Sequence, residues 1–105
     1  MVKISIFYPN SGRFDMDYYL NVHMPRSIAL LSKGRGYRGV SVERGVGGAS
    51  PGSAPGFVAM CHYLFDTADD FMAAFMPHAA ELKGDMPNYT DIEAIIQVSE
   101  VVINR

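Results

Sequence analysis

The stretch FVAMCHYLF, residues 57–65, sets the tightest limit on what this chain can fold into. It holds no glycine or proline and is rich in aromatic and branched side chains, which reads as a strand. Alternate strand residues point to opposite faces. Phe57, Ala59, Cys61, Tyr63 and Phe65 therefore share one face, and Val58, Met60, His62 and Leu64 share the other. Both faces are mostly apolar. Such a strand belongs inside a sheet that is covered on both sides.

The remaining segments are read around that strand. VKISIFY (2–8) alternates, with Val2, Ile4, Ile6 and Tyr8 opposite Lys3, Ser5 and Phe7, and the turn residues Pro9-Asn10-Ser11-Gly12 end it. A helix is expected from Asp15 to Lys33, capped by Asp15 and stopped at Gly34. YRGVSVERGV (37–46) reads as a second strand. The Gly/Pro/Ser-rich segment 47–56 reads as a flexible hairpin connection or a ligand lid. Asp66 or Thr67 caps a second helix, where Phe71, Phe75, His78, Ala79 and Leu82 form one apolar stripe that Gly84 can end. DMPNYTD (85–91) is expected as a loop and AIIQVSEVVI (94–103) as the last strand.

The order β-α-β-β-α-β predicts an α+β, ferredoxin-like domain over residues 1–105: a four-stranded antiparallel sheet with both helices on one face. The other face would stay bare. A second copy covering it gives a sheet-to-sheet homodimer, a dimeric α/β barrel.

Several partner classes are not supported. Net charge is −2 and there is no run of Lys or Arg, so no nucleic-acid partner is expected. No apolar run reaches membrane-spanning length, so no membrane partner is expected. The start, MVKISIFYP, alternates like a strand and lacks the apolar core of a signal peptide; a cytoplasmic protein is the expectation. The single cysteine, Cys61, excludes an internal disulfide and a Cys-x-x-Cys zinc site. Neighbouring His62 points to the opposite face, so the two are no nucleophile pair.

Pro25 is the anomaly in YYLNVHMPRSIALL (18–31). Its ring clashes with the carbonyl four residues back, at Asn21, and disfavours helical angles at Met24. The helix is therefore expected to end near His23 and restart at Pro25, placing a new helix N-terminus beside the imidazole. Tyr19 lies one turn before His23 on the same face. His78 follows a second helix-interior proline, Pro77. It reads as a core histidine, or as a second group facing one cleft with His23. The spacing of His23, His62 and His78 matches no metal motif, and no cofactor motif is visible, so no metal and no cofactor are expected.

The runs RFDMDYYLNVHMP and AMCHYLFDTADDFMAAFMPHAAELKGDMPNYTD, with the closing IIQVSEV, resemble the EthD family, named for ethyl tert-butyl ether degradation, within the dimeric α/β-barrel superfamily. The resemblance implies His23 as the signature histidine. It also implies a role in modifying or degrading small ether, aromatic or polyketide-type molecules, without fixing the reaction. Haem-degrading relatives rely on a tryptophan that this chain lacks.

Two functions follow. One is a cofactor-independent enzyme in which His23, helped by Tyr19 and His78, performs acid–base chemistry in an apolar cleft. Tyr8, Met24, Tyr63, Phe75 and Tyr89 are its candidate ligand-binding residues. The reaction type, oxidation, isomerisation, dehydration or decarboxylation, stays open. The other is a non-catalytic accessory dimer that binds a hydrophobic intermediate or a redox partner in an oxidative degradation pathway. An enclosed pocket lined by His23 favours the first, and a cleft filled by Met and Phe favours the second.

Overall fold

The computed structural model describes residues 1–105. Four strands, β1 (Val2–Pro9), β2 (Tyr37–Arg44), β3 (Phe57–Phe65) and β4 (Ile95–Glu100), form one antiparallel sheet in the order β2-β3-β1-β4. β3 is interior, as its two apolar faces require. Ala59, Cys61, Tyr63 and Phe65 are buried beneath the helices with Ile4 and Tyr8 of β1. The opposite face carries half-buried Phe7, Met60, His62 and Leu64. There His62 Nδ1 lies 2.7 Å from Ser5 Oγ, and Nε2 lies 3.3 Å from Glu43 Oε1. Cys61 and His62 thus sit on opposite sides of the sheet. The segment between β2 and β3 joins a hairpin and lines no part of the cavity described below, which leaves the lid reading without support.

Helix α1 spans residues 16–31, and Asp15 caps it by accepting from the Tyr18 N–H at 3.1 Å. It does not break at Pro25. Residues Tyr19–His23 form a π-helical turn instead, and Met24–Leu31 continue as α-helix. The Met24 N–H donates to the Tyr19 carbonyl, five residues back, and both His23 and Met24 keep right-handed helical angles. The wider turn displaces the carbonyls that Pro25 would strike, so the proline is absorbed without interrupting the helix. The expected second helix N-terminus beside His23 does not exist.

Helix α2 starts with Ala68–Phe75, capped by Thr67, tightens to a 3-10 turn at Met76–His78 around Pro77, and resumes over Ala79–Asp85. Gly84 does not end it. A further 3-10 turn, Met86–Asn88, lies within the segment 85–91 expected as a loop. Nor does Gly34 act as the αL cap of α1. Its role is close approach: a Cβ there would lie 2.5 Å from the Ala74 Cβ, so the missing side chain lets the end of α1 sit against α2.

β4 is an edge strand. Its Ile96 and Val98, opposite Ile6 and Ile4, lie on the helix side of the sheet but remain 60% and 52% exposed. The two helices therefore leave the β4 side of the sheet uncovered, and a cavity opens there.

Candidate active site

The cavity has a volume of about 470 Å³ and lies between α1, α2 and the sheet. Ile6 and Ile96 form its floor beside Tyr8 and Tyr63. His23, Ser27 and Leu31 of α1 make one wall. Phe71, Phe75 and Leu82 of α2 make another, and Met86 and Tyr89 close one end. Most of the lining is apolar, so a ligand here would be largely desolvated. Its polar groups are few, and they are organised.

His23 is the centre of that organisation. The residue is buried, and the π turn stacks its ring on Tyr19 at 5.9 Å. Its Nδ1 lies 3.0 Å from Asp85 Oδ2, and its Nε2 lies 3.3 Å from the Tyr89 hydroxyl. The Tyr89 hydroxyl is 2.8 Å from that of Tyr8. Asp85 also accepts from the Tyr18 O–H at 2.6 Å and from Asn88 at 2.9 Å. Burial pushes the Asp85 carboxyl up, but these hydrogen bonds outweigh it and hold the group below its ordinary carboxylate value.

The proton positions follow. An ionised Asp85 only accepts, so His23 Nδ1 carries the hydrogen. In the neutral imidazole Nε2 then accepts, and the Tyr89 O–H donates to it. Tyr89's oxygen in turn accepts from the Tyr8 O–H. One directed chain runs Tyr8 to Tyr89 to His23 to Asp85, and the lone pairs of Tyr8 are its free end. Burial raises the pKa of Tyr8 to about 12 and raises that of Tyr89 as well, so both phenols are protonated at neutral pH. Such phenols can relay a proton, but they supply no resident phenolate.

A second pair of hydroxyls lines the same cavity. Ser27, one turn after His23, sits 2.7 Å from the Tyr63 hydroxyl, and both residues are buried. Lys83 and Glu93 are the charged lining residues, both exposed. No three His, Cys, Asp or Glu side chains converge as metal ligands.

The candidates read from the sequence divide accordingly. His23, Tyr8, Tyr63, Phe75 and Tyr89 all line the cavity. Tyr19 and Met24 do not; both are packed into the core, and the Tyr19 hydroxyl is buried without a partner. His78 is half-buried in the 3-10 turn of α2 and does not line the cavity, so the two histidines do not share a cleft. The tight turn at Pro77 changes the residue spacing and takes His78 off the stripe shared by Phe71 and Leu82. Asp85, Ser27, Tyr18 and Asn88 belong to no catalytic motif in the sequence. The signal for Asp85 was its spacing: Asp85, Asn88 and Tyr89 lie at i, i+3 and i+4, which brings them to one side only if the segment is helical, as it is.

Burial fixes the response to alkali. Tyr8 and Cys61 are each raised to about 12, chiefly by desolvation, from ordinary values of 10.0 and 9.0. Between those limits the folded chain holds more protons than the unfolded one, so stability falls as pH rises from about 9 toward 12. An alkaline titration should show the main phenolate absorbance appearing together with loss of circular dichroism. A full phenolate band on a native spectrum contradicts this.

The EthD domain family matches residues 11–93. No curated protein matches the chain. Among solved structures, an EthD-like protein from Ralstonia eutropha JMP134 is 43% identical with TM-score 0.88, over 99% of this chain and 94% of that one. An ethyl tert-butyl ether degradation (EthD) family protein from Bacillus halodurans C-125 is 22% identical with TM-score 0.64, over 95% and 97%. SnoaB, a cofactor-independent oxygenase from Streptomyces nogalater, is 13% identical with TM-score 0.52, over 99% and 96%. The last two likenesses are likenesses of fold.

Proposed function

We propose that this chain, which belongs to the EthD family, is a proton-transfer catalyst for small apolar molecules, the His23–Asp85 pair acting as its base. The observation that carries this reading is the unbroken hydrogen-bonded chain from Asp85 through His23 and Tyr89 to Tyr8, which ends in an apolar cavity. A substrate C–H or O–H proton passes to the Tyr8 oxygen. The Tyr8 proton passes to Tyr89 and the Tyr89 proton to His23 Nε2. The resulting imidazolium is stabilised by the Asp85 carboxylate. The electron pair stays on the substrate as an enolate, phenolate or carbanion. That intermediate is the common first step of isomerisation, dehydration and cofactor-free oxygenation by dioxygen. Family membership supports ether, aromatic or polyketide-type substrates, and the neighbour of similar fold described as a cofactor-independent oxygenase is consistent with chemistry that needs no cofactor. That the space beside His23 is an unfilled cavity, and not a cleft packed with Met and Phe side chains, supports catalysis over a purely accessory binding role.

A direct test uses 2-tetralone, an apolar ketone with acidic C–H groups, in deuterated water. The protein should speed deuterium uptake beside the carbonyl by about 100-fold or more over buffer. Uptake at the buffer rate, with the ketone bound as judged by tyrosine fluorescence, overturns the reading.

The assembly belongs to the same proposal. Half-buried Phe7, Met60 and Leu64 on the bare sheet face, with exposed Ile95 beside them, support a second copy packed sheet to sheet. Sedimentation at micromolar concentration is expected to give a dimer. A stable monomer rules this out.

A further inference from the structure

We propose that the Ser27–Tyr63 hydroxyl pair is the donor site for a substrate carbonyl oxygen that becomes an oxyanion when the Tyr8 end of the cavity removes a proton. This assignment rests on the function proposed above and extends it to the substrate.

Hydrogen counting carries the inference. The chain from Tyr8 to Asp85 uses every proton it has, because the Tyr8 and Tyr89 hydroxyls each donate along it. What it offers the cavity is a lone pair on Tyr8. The Ser27–Tyr63 pair is the opposite case. Two hydroxyls bring two protons, and only one can lie on the 2.7 Å bond between them. Neither hydroxyl has another partner in the fold. Burial raises the Tyr63 pKa, so its proton is retained at neutral pH. Whichever hydroxyl donates within the pair, the other has a proton to spare, and both residues line the cavity. An apolar cavity therefore holds one acceptor station and one donor station. Ser27 follows His23 by four residues, so their side chains are neighbours about 5–6 Å apart along one face of α1.

A ligand that satisfies both stations has an acidic O–H or C–H at one end and a carbonyl oxygen at the other, on a flat apolar skeleton. Where the two are conjugated, the electron pair released at the Tyr8 end moves to the carbonyl oxygen. That oxygen then takes its hydrogen bond from Ser27 or Tyr63. Proton and electron pair both balance: the proton ends on His23 and the charge on the oxygen at the donor station. The substrate class is the conjugated hydroxy ketone, or the enolisable aryl ketone equivalent to it. A hydrogen bond that strengthens as this charge develops lowers the barrier to proton removal.

Three matched probes test this: 6-hydroxy-1-tetralone, which has both groups; 6-hydroxytetralin, which lacks the carbonyl; and 1-tetralone, which lacks the hydroxyl. Binding is read by tyrosine fluorescence, and ionisation of the bound phenol by its phenolate absorbance. The wild-type protein should bind 6-hydroxy-1-tetralone more tightly than 6-hydroxytetralin and shift its phenol toward phenolate. Ser27→Ala and Tyr63→Phe should each weaken 6-hydroxy-1-tetralone by about tenfold or more, reduce the phenolate signal and leave 6-hydroxytetralin unchanged. Equal weakening of both probes, or of neither, overturns the donor assignment; melting curves of the two variants show whether the fold is intact. Tyr8→Phe separates the two proposals. It should abolish the phenolate signal while 1-tetralone binding keeps its dependence on Ser27 and Tyr63. Carbonyl-dependent binding without ionisation in the wild-type protein leaves the donor site standing and overturns the proton-transfer function.

Discussion

Replacing His23 with Gln is expected to lower the rate of deuterium uptake into 2-tetralone by about 100- to 10,000-fold, while the chain stays folded. Gln can keep a hydrogen bond toward Asp85 or Tyr89, but it cannot hold the transferred proton. The alternative is that His23 only pins the π turn. Its loss would then strand the buried Tyr89 hydroxyl and the Asp85 carboxylate, costing about 1–3 kcal/mol. In that case the melting temperature falls and activity per folded molecule is retained. Measuring both on one sample decides between them. Asp85→Asn probes the same dyad from behind. The Asn amide can donate to Nδ1, which forces the hydrogen onto Nε2 and removes the acceptor for Tyr89. A loss of exchange with an intact fold, and a changed tautomer in the ¹⁵N spectrum of His23, are the expected results. An unchanged tautomer with full activity removes Asp85 as the positioning residue.

The second large effect is at Tyr89. Its side chain is fully buried and packs against Tyr8, Phe14, Tyr18, Tyr19 and His23. Truncation to Ala removes the ring that holds the end of α2 against β1 and the start of α1. The expected cost is about 3–5 kcal/mol, as for other buried aromatic residues. In a domain of this size that lowers the melting temperature by roughly 4–8 °C for each kcal/mol. Tyr89→Phe separates packing from chemistry. It keeps the ring and deletes one hydroxyl, so Tyr8 loses its acceptor and His23 Nε2 loses its donor. A modest fall in stability with a fall in exchange of about 100-fold is expected, since the relay is cut at its middle. If Tyr89→Phe retains wild-type exchange, His23 acts on the substrate directly and the tyrosines only pack around it.

Much of this architecture is legible in local spacing. The two apolar faces of residues 57–65 place β3 inside the sheet, and the turn at Pro9–Gly12 ends β1. Asp15 and Thr67 cap the helices because their side-chain oxygens satisfy N–H groups three residues on, a contact encoded by neighbours in sequence. The proline rule at Pro25 located an irregular helical turn at the right place but not its kind. A break and a π turn both relieve the clash at Asn21, and the packing of Tyr19 and His23 under the helix selects the second. Residues 85–88 read as a loop because Pro87 and Asn88 are turn formers. In the fold they complete a helical turn, stabilised by Asn88 donating to Asp85.

Element order, fold class and the caps are readable without tertiary information, since each rests on periodicity or on contacts within a few residues. The candidate site, by contrast, is assembled by packing between distant segments. His23 meets Asp85 across 62 residues, Tyr8 meets Tyr89 across 81, and Ser27 meets Tyr63 across 36. Local spacing says which face of an element a side chain occupies. It does not say which side chain of another element stands opposite, because that depends on strand register, on the extra residue in the π turn and on how closely α1 and α2 approach at Gly34. A hydrogen bond needs its donor and acceptor within about 3 Å, a tolerance finer than any periodic pattern fixes, and packing alone supplies it.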